Sequence, residues 1–139
     1  MKLKLSETQQ YILGILGIIL LGTFIQINKQ KSFNRILNNS RYTIGKTTKI
    51  NSYKKRNYFH YEYYFENLKK EAGISEYSSN NLFIGKRYFV VFEEGNPENS
   101  MLIPFLFVPD SITKVPAEGW SEPPIPIDKN RIKNFLENY

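Results

Sequence analysis

The run from Tyr11 to Ile27, YILGILGIILLGTFIQI, carries no charge, and its only polar side chains are Tyr11, Thr23 and Gln26. A helix rises about 1.5 Å per residue, so a hydrocarbon core about 30 Å thick needs roughly 20 residues, or about 17 at the short end. With Gln9 and Gln10 in front and Asn28 behind, the run meets that lower bound and predicts a transmembrane helix over 11–28. A helix on a soluble core keeps one polar face, and this run is apolar all round. A cleaved export signal would end at small residues, whereas Gly22-Thr23-Phe24-Ile25-Gln26-Ile27 puts bulky side chains there. The chain has no cysteine to carry a lipid. Gly14, Gly17 and Gly22 also miss the G-x-x-x-G spacing of a close helix pair.

Charge around the run speaks to orientation. Every charged residue from Lys29 to Arg56 is basic, and the first acid after the run is Glu62. Lys and Arg close to a span are retained in the cytoplasm, so the count places the domain of this single-pass cell-membrane protein on the cytoplasmic side. The opposite orientation stays open, because Lys2 and Lys4 followed by an apolar run also resemble an export signal-anchor. Lys29, Lys31 and Arg35 are the candidate headgroup contacts, each worth about 1 kcal/mol near an anionic surface. Lys54-Lys55-Arg56, followed by Tyr58, Phe59, Tyr61, Tyr63, Tyr64 and Phe65, has the composition of a nucleic-acid surface. Aromatics this dense in a strand-like run fill a core instead, and no nucleic-acid partner is expected.

The part beyond Lys29, about 110 residues, suffices for one small domain. Residues 29–41 read as a basic linker that can continue the helix, with Phe33, Ile36 and Leu37 at helical spacing and Asn38-Asn39-Ser40 as the stop. The periodicity then changes to that of strands. Tyr42 to Ile50 places Tyr42, Ile44 and Ile50 on one face, and Tyr58 to Phe65 sends Phe59, Tyr61, Tyr63 and Phe65 inward. A turn at Glu66-Asn67 returns the chain through Leu68 to Ile74 as a hairpin, followed by a loop over 76–81. Leu82 to Glu93 reads as a strand in two pieces bent at Gly85, and Glu94-Gly95-Asn96-Pro97 as a turn. Met101 to Val108 is a last strand that Pro104 confines to an edge. The fold expected over 42–110 is mainly β, a small antiparallel barrel-like or curled sheet. Without βαβ alternation a parallel sheet is not expected.

Pro109, Pro116, Pro123, Pro124 and Pro126 make residues 111–127 an extended arm, pinned to the domain or to a partner by Trp120. Residues 128–139 read as a short amphipathic helix capped by Asp128. Its Ile132, Phe135, Leu136 and Tyr139 either dock on the domain or face a partner. Trp120, Ile132, Phe135 and Leu136 are the candidate partner contacts, and residues 1–10 are a short tail.

Several of these segments together resemble a family of small bacterial single-span membrane proteins of unknown function. They are Tyr61-Glu62-Tyr63, the run Ile84-Gly85-Lys86-Arg87-Tyr88-Phe89-Val90-Val91-Phe92, and Asn96-Pro97-Glu98-Asn99-Ser100. Val108-Pro109-Asp110-Ser111-Ile112 leading to Gly119-Trp120 is similar to a subset of its members. The resemblance spans about Tyr42 to Trp120 and implies an anchored small β-domain without catalytic residues. It departs from the family at Glu66-Asn67-Leu68, where the family hairpin turns through Asn-Gly.

Chemistry is sparse. His60 is the only histidine and there is no cysteine, which excludes thiol nucleophiles and histidine pairs. Gly45-Lys46-Thr47 matches the end of a P-loop, but Ser40 stands where its first glycine is required. Glu93, Glu94, Glu98 and Asp110 flank turns and read as solvated charges rather than a cation site. No cofactor or metal is expected. The sequence points to a non-catalytic interaction or accessory subunit of a membrane complex. The alternative, a small hydrolase-like enzyme, requires a pocket gathering His60, Glu62, Tyr64 and Arg87.

Overall fold

The computed structural model describes residues 6–77 and 82–139. Helix α1, Glu7–Asn38, opens on a capping box. The Ser6 side chain accepts from the Gln9 N–H (3.3 Å) and the Gln9 side chain from the Ser6 N–H (2.9 Å), satisfying two donors that a helix start leaves unpaired. Its 32 residues span roughly 48 Å. The most apolar 18-residue window is wholly uncovered, while Phe33 and Ile36 are buried in the domain. No break separates the apolar run from the basic segment. The expected linker over 29–41 is helical to Asn38, because Phe33 and Ile36 find a core to pack against.

Five antiparallel strands follow: β1 Ser40–Tyr53, β2 Arg56–Phe65, β3 Leu68–Tyr77, β4 Arg87–Glu93 and β5 Asn96–Phe107. They form one curled sheet of order β3-β2-β1-β4-β5. The expected loop over 76–81 gives its first two residues to β3 and lies otherwise outside the described residues, as do Lys2 and Lys4. Leu82 to Lys86 is not strand, and Gly85 (φ +77°) forms a turn ahead of β4. The last strand starts earlier than expected, since the chain turns through Glu94-Gly95 and Pro97 lies inside β5. Both prolines are accommodated by irregular pairing: Pro97 falls between Asn96 and Ser100, Pro104 between Leu102 and Phe107, where β5 slips against β4. An edge strand tolerates such interruptions.

Alternation and register define two faces. The inner face carries Phe59, Tyr61 and Tyr63 of β2, Ile74 of β3, Tyr88 and Val90 of β4 and Leu102 of β5, all buried. The Tyr63 hydroxyl donates to the Pro97 carbonyl (2.6 Å), and the Tyr61 hydroxyl lies 3.4 Å from Ser100 Oγ, so β2 reaches across the curl to β5. Gly45 permits this closure, because a Cβ there would lie 2.5 Å from Val90 Cγ2. On the outer face Tyr42, Phe89 and Val91 are also buried. The chain covers them with the last turns of α1, with the arm, and with α2, Lys129–Asn138. Asp128 caps α2 by accepting from the Arg131 N–H (3.1 Å).

The β2–β3 turn places Glu66 (φ +49°) and Asn67 (φ +63°) both in the left-handed region, the two-residue geometry that Asn-Gly favours. The Glu66 N–H, bonded to the Ala117 carbonyl at 2.7 Å, holds the turn against the arm. Replacing Glu66-Asn67 by Asn-Gly removes a left-handed penalty of roughly 1–2 kcal/mol per ordinary residue. The double variant is expected to unfold in urea at a higher midpoint with an unchanged slope. Gly45→Val is expected to lower stability by about 1–3 kcal/mol through overpacking.

Candidate functional site

Three regions answer to the residues singled out in the sequence: the collar where α1 meets the domain, the arm with α2, and a cleft on the outer face. At the collar, the Lys29 ammonium donates to the Tyr139 main-chain oxygen (2.7 Å) and lies over the Phe33 and Tyr139 rings. Arg35 Nε pairs with Glu93 at 3.3 Å. Two of the three expected headgroup contacts are thus turned toward the domain, and Lys31 is exposed.

Around Glu93 a polar joint ties helix to sheet. The Asn99 amide donates to Glu93 (2.8 Å) and to the Ser32 carbonyl (3.1 Å). These contacts, first the Asn99 amide and then Arg35, hold the Glu93 carboxyl below the usual carboxylate range. A carboxyl lowered in the folded state stabilises above its unfolded pKa and loses that contribution as pH falls through the folded value. Acidification below about pH 4.5, the ordinary glutamate value, is therefore expected to weaken the joint. Glu93→Gln should remove this part of the pH dependence, read as a flatter acid limb in thermal unfolding.

The arm and α2 are taken up by the domain itself. Trp120 exchanges two backbone hydrogen bonds with Tyr42, both 2.8 Å, and its ring centroid lies 6.0 Å from that of Phe89. It is partly buried and fastens the arm where β2 has ended and β1 would otherwise lack a neighbour. Ile132 and Leu136 are 3% and 0% exposed, so neither is open to a partner. Phe135 packs edge-on against Phe105 at 5.6 Å. These positions are docking residues because α2 has one apolar stripe and the outer face of β4 needs a cover. Leu136→Ala is expected to cost about 2–5 kcal/mol, measured by denaturant unfolding.

A cleft of about 270 Å³ opens on the outer face between the sheet and the arm. Ile44, Lys46, Glu62, Tyr64 and Arg87 form its floor, with Val115 and Pro116 as a wall. Lys46 and Glu62 are cross-strand partners. Lys69 holds Glu62 at 2.5 Å and also reaches Glu71, and Glu62 followed by Glu71 pushes its ammonium pKa up. Arg87 donates to the Ile112 carbonyl (2.8 Å) and the Pro109 carbonyl (3.2 Å), fixing the start of the arm. Tyr64 stands exposed at the cleft. His60 lies outside this lining, 2.9 Å from the Asn51 amide and edge-on to Tyr58.

The structure thus gathers three of the four residues named for an enzyme and leaves out the histidine. Lys46 and the arm residues were not legible as lining, since their meeting depends on the path of the arm; the prolines were the only signal. The aromatics after Lys54-Lys55-Arg56 are divided: Phe59, Tyr61 and Tyr63 are buried, where burial pushes the Tyr61 and Tyr63 phenols up and keeps them protonated. The four acids weighed as a cation site are dispersed, with Glu93 on Arg35, Glu94 on Arg41, Glu98 on Lys70 and Asp110 near Arg87. The chain matches no protein-family model, no curated protein and no solved structure.

Proposed function

We propose that this is a single-pass cell-membrane protein whose β-domain, on the cytoplasmic side, binds another protein without catalysis, as an accessory subunit of a membrane complex. The observation that carries the reading is α1. Its side chains from Tyr11 to Ile27 are uncovered, an apolar surface far beyond the few hundred Å² that soluble monomers expose. The same helix then continues unbroken into the core at Phe33 and Ile36, as a retained anchor does. The resemblance to small bacterial single-span proteins agrees with this reading. With α2 and Trp120 engaged by the domain, the outer cleft is the surface offered to the partner: apolar at Ile44, Val115 and Pro116, aromatic at Tyr64, charged at Lys46 and Glu62.

Fusion of alkaline phosphatase, and separately of a cytoplasm-only fluorescent reporter, after Tyr139 tests the topology. Fluorescence without phosphatase activity is expected, and the reverse overturns the sidedness. A photo-crosslinking residue in place of Tyr64 tests the cleft. A discrete adduct in native membranes, lost on Lys46→Glu, is expected, and no adduct refutes the cleft as the binding surface.

The enzyme alternative draws on the same cleft, because Glu62, Tyr64 and Arg87 line it together. It requires turnover of a chromogenic ester panel that Glu62→Gln and Tyr64→Phe abolish without unfolding. The binding reading expects no such dependence.

A further inference from the structure

The tip of the β1–β2 hairpin has no part in the core. From Asn51 to Arg56 every residue is exposed, while the strands behind it are buried or half-buried at Ile50, Asn57 and Phe59. β3 pairs with β2 as far as Arg56↔Tyr77, so the backbone of this end is held in the sheet, yet the side chains from Asn51 to Arg56 remain in water. Tyr53 is 73% exposed. Lys54, in the left-handed region at φ +52°, swings its ammonium to 5.5 Å from the Tyr53 ring. Lys55 beside it is exposed. An aromatic ring flanked by lysines is the side-chain chemistry of a membrane interface, where the ring sits at headgroup depth and the cations meet lipid phosphate.

The fold brings this tip back to the root of α1. From Lys29 the helix climbs roughly 14 Å to Asn38. β1 then leaves from Ser40 and, at about 3.3 Å per residue, is long enough to return past that height. It does return: Arg56, which pairs with Tyr53, lines one cleft with Lys29, Ser75, Glu76 and Tyr139. Tyr139 binds this cluster, donating its hydroxyl to the Ser75 carbonyl at 3.2 Å while Lys29 donates to its main-chain oxygen. Glu76, the acid in this cleft, is buried, whereas Lys54 and Lys55 at the tip are exposed. Lys29 is the second residue beyond the apolar run, so the tip of the hairpin stands level with the end of the span.

We propose that Tyr53, Lys54 and Lys55 form a second membrane contact that binds the anionic headgroups of the bilayer in which α1 is anchored. The inference rests on α1 spanning that bilayer. With the helix it gives the domain two points of attachment, which fix its tilt and direct the outer cleft.

The absence of cysteine makes a single label clean. Full-length protein carrying Ser52→Cys with an environment-sensitive dye is reconstituted into vesicles of phosphatidylcholine alone or with an equal part of phosphatidylglycerol, containing lipids with nitroxide on the headgroup. A second protein carries the dye at Glu118→Cys, on the arm next to Ala117, at the far end of β2. Flotation and resistance to alkaline extraction report insertion independently. The expected result is a blue-shifted, nitroxide-quenched Ser52 label in anionic vesicles, with the Glu118 label unquenched. Lys54→Gln/Lys55→Gln should weaken the contact roughly five-fold per lysine, about 25-fold for the pair. An inserted protein whose Ser52 label is as water-exposed as the Glu118 label in both lipids overturns the contact while leaving the anchor intact. Failure to float overturns the anchor, and the contact falls with it.

Discussion

Strand β4 has apolar side chains on both faces, and each face must be removed from water by a different part of the chain. Tyr88 and Val90 point into the curl, where the β2 tyrosines and β5 close over them. Phe89 and Val91 point outward and need a second layer, which the sheet cannot supply. The end of α1, the arm and α2 supply it, contributing Phe33, Ile36, Trp120, Ile132 and Leu136. Burying Phe33, Ile36, Ile132 and Leu136 is worth about 1.5–3 kcal/mol each. That demand explains why elements lying far apart in sequence converge on one strand.

One consequence concerns the helix. Its last turns belong to the domain core, and the Ser32, Arg35, Glu93 and Asn99 joint adds polar contacts at the same place. The domain therefore does not hang from a flexible tether. A helix that continues into the core without a break transmits its orientation to the sheet. A hairpin returning to the helix root gains meaning only in such a rigid arrangement.

The other consequence concerns the cleft. Its floor is the outer face of β1 and β2 beyond the cover given by the helices, and its wall is the arm held by Arg87, by the Glu66 turn and by the Tyr42–Trp120 bridge. The ion pairs around it are solvent-exposed and individually weak, whereas the backbone bonds fix the arm in place. Residues such as Glu62 and Arg87, which look like chemistry in the sequence, have structural partners here.

Much of the fold was legible because it follows from local patterns. The uncharged run, the alternation from Phe59 to Tyr63, the turn at Glu66-Asn67 and the Asp128 cap are each written within a few residues. The sequence misled where a neighbour decided the outcome: Pro97 reads as a turn residue but lies in β5, since an edge strand can slip around it. The segment after Lys29, by contrast, reads as a linker whose apolar spacing can continue the helix to the Asn38-Asn39-Ser40 stop, and it is helical to Asn38, since Phe33 and Ile36 have a sheet to cover. Ile132 and Leu136 read equally as partner contacts or core, and periodicity cannot tell which surface an apolar stripe meets. What the sequence by itself determined is the uncharged apolar helix, the strand alternation and the basic segment between them, because hydrophobicity and charge are properties of short stretches. Only the tertiary structure decided that helix and sheet are one body, that the arm walls a cleft and that the basic hairpin returns to the end of the apolar run. Those facts depend on contacts between residues far apart in the chain.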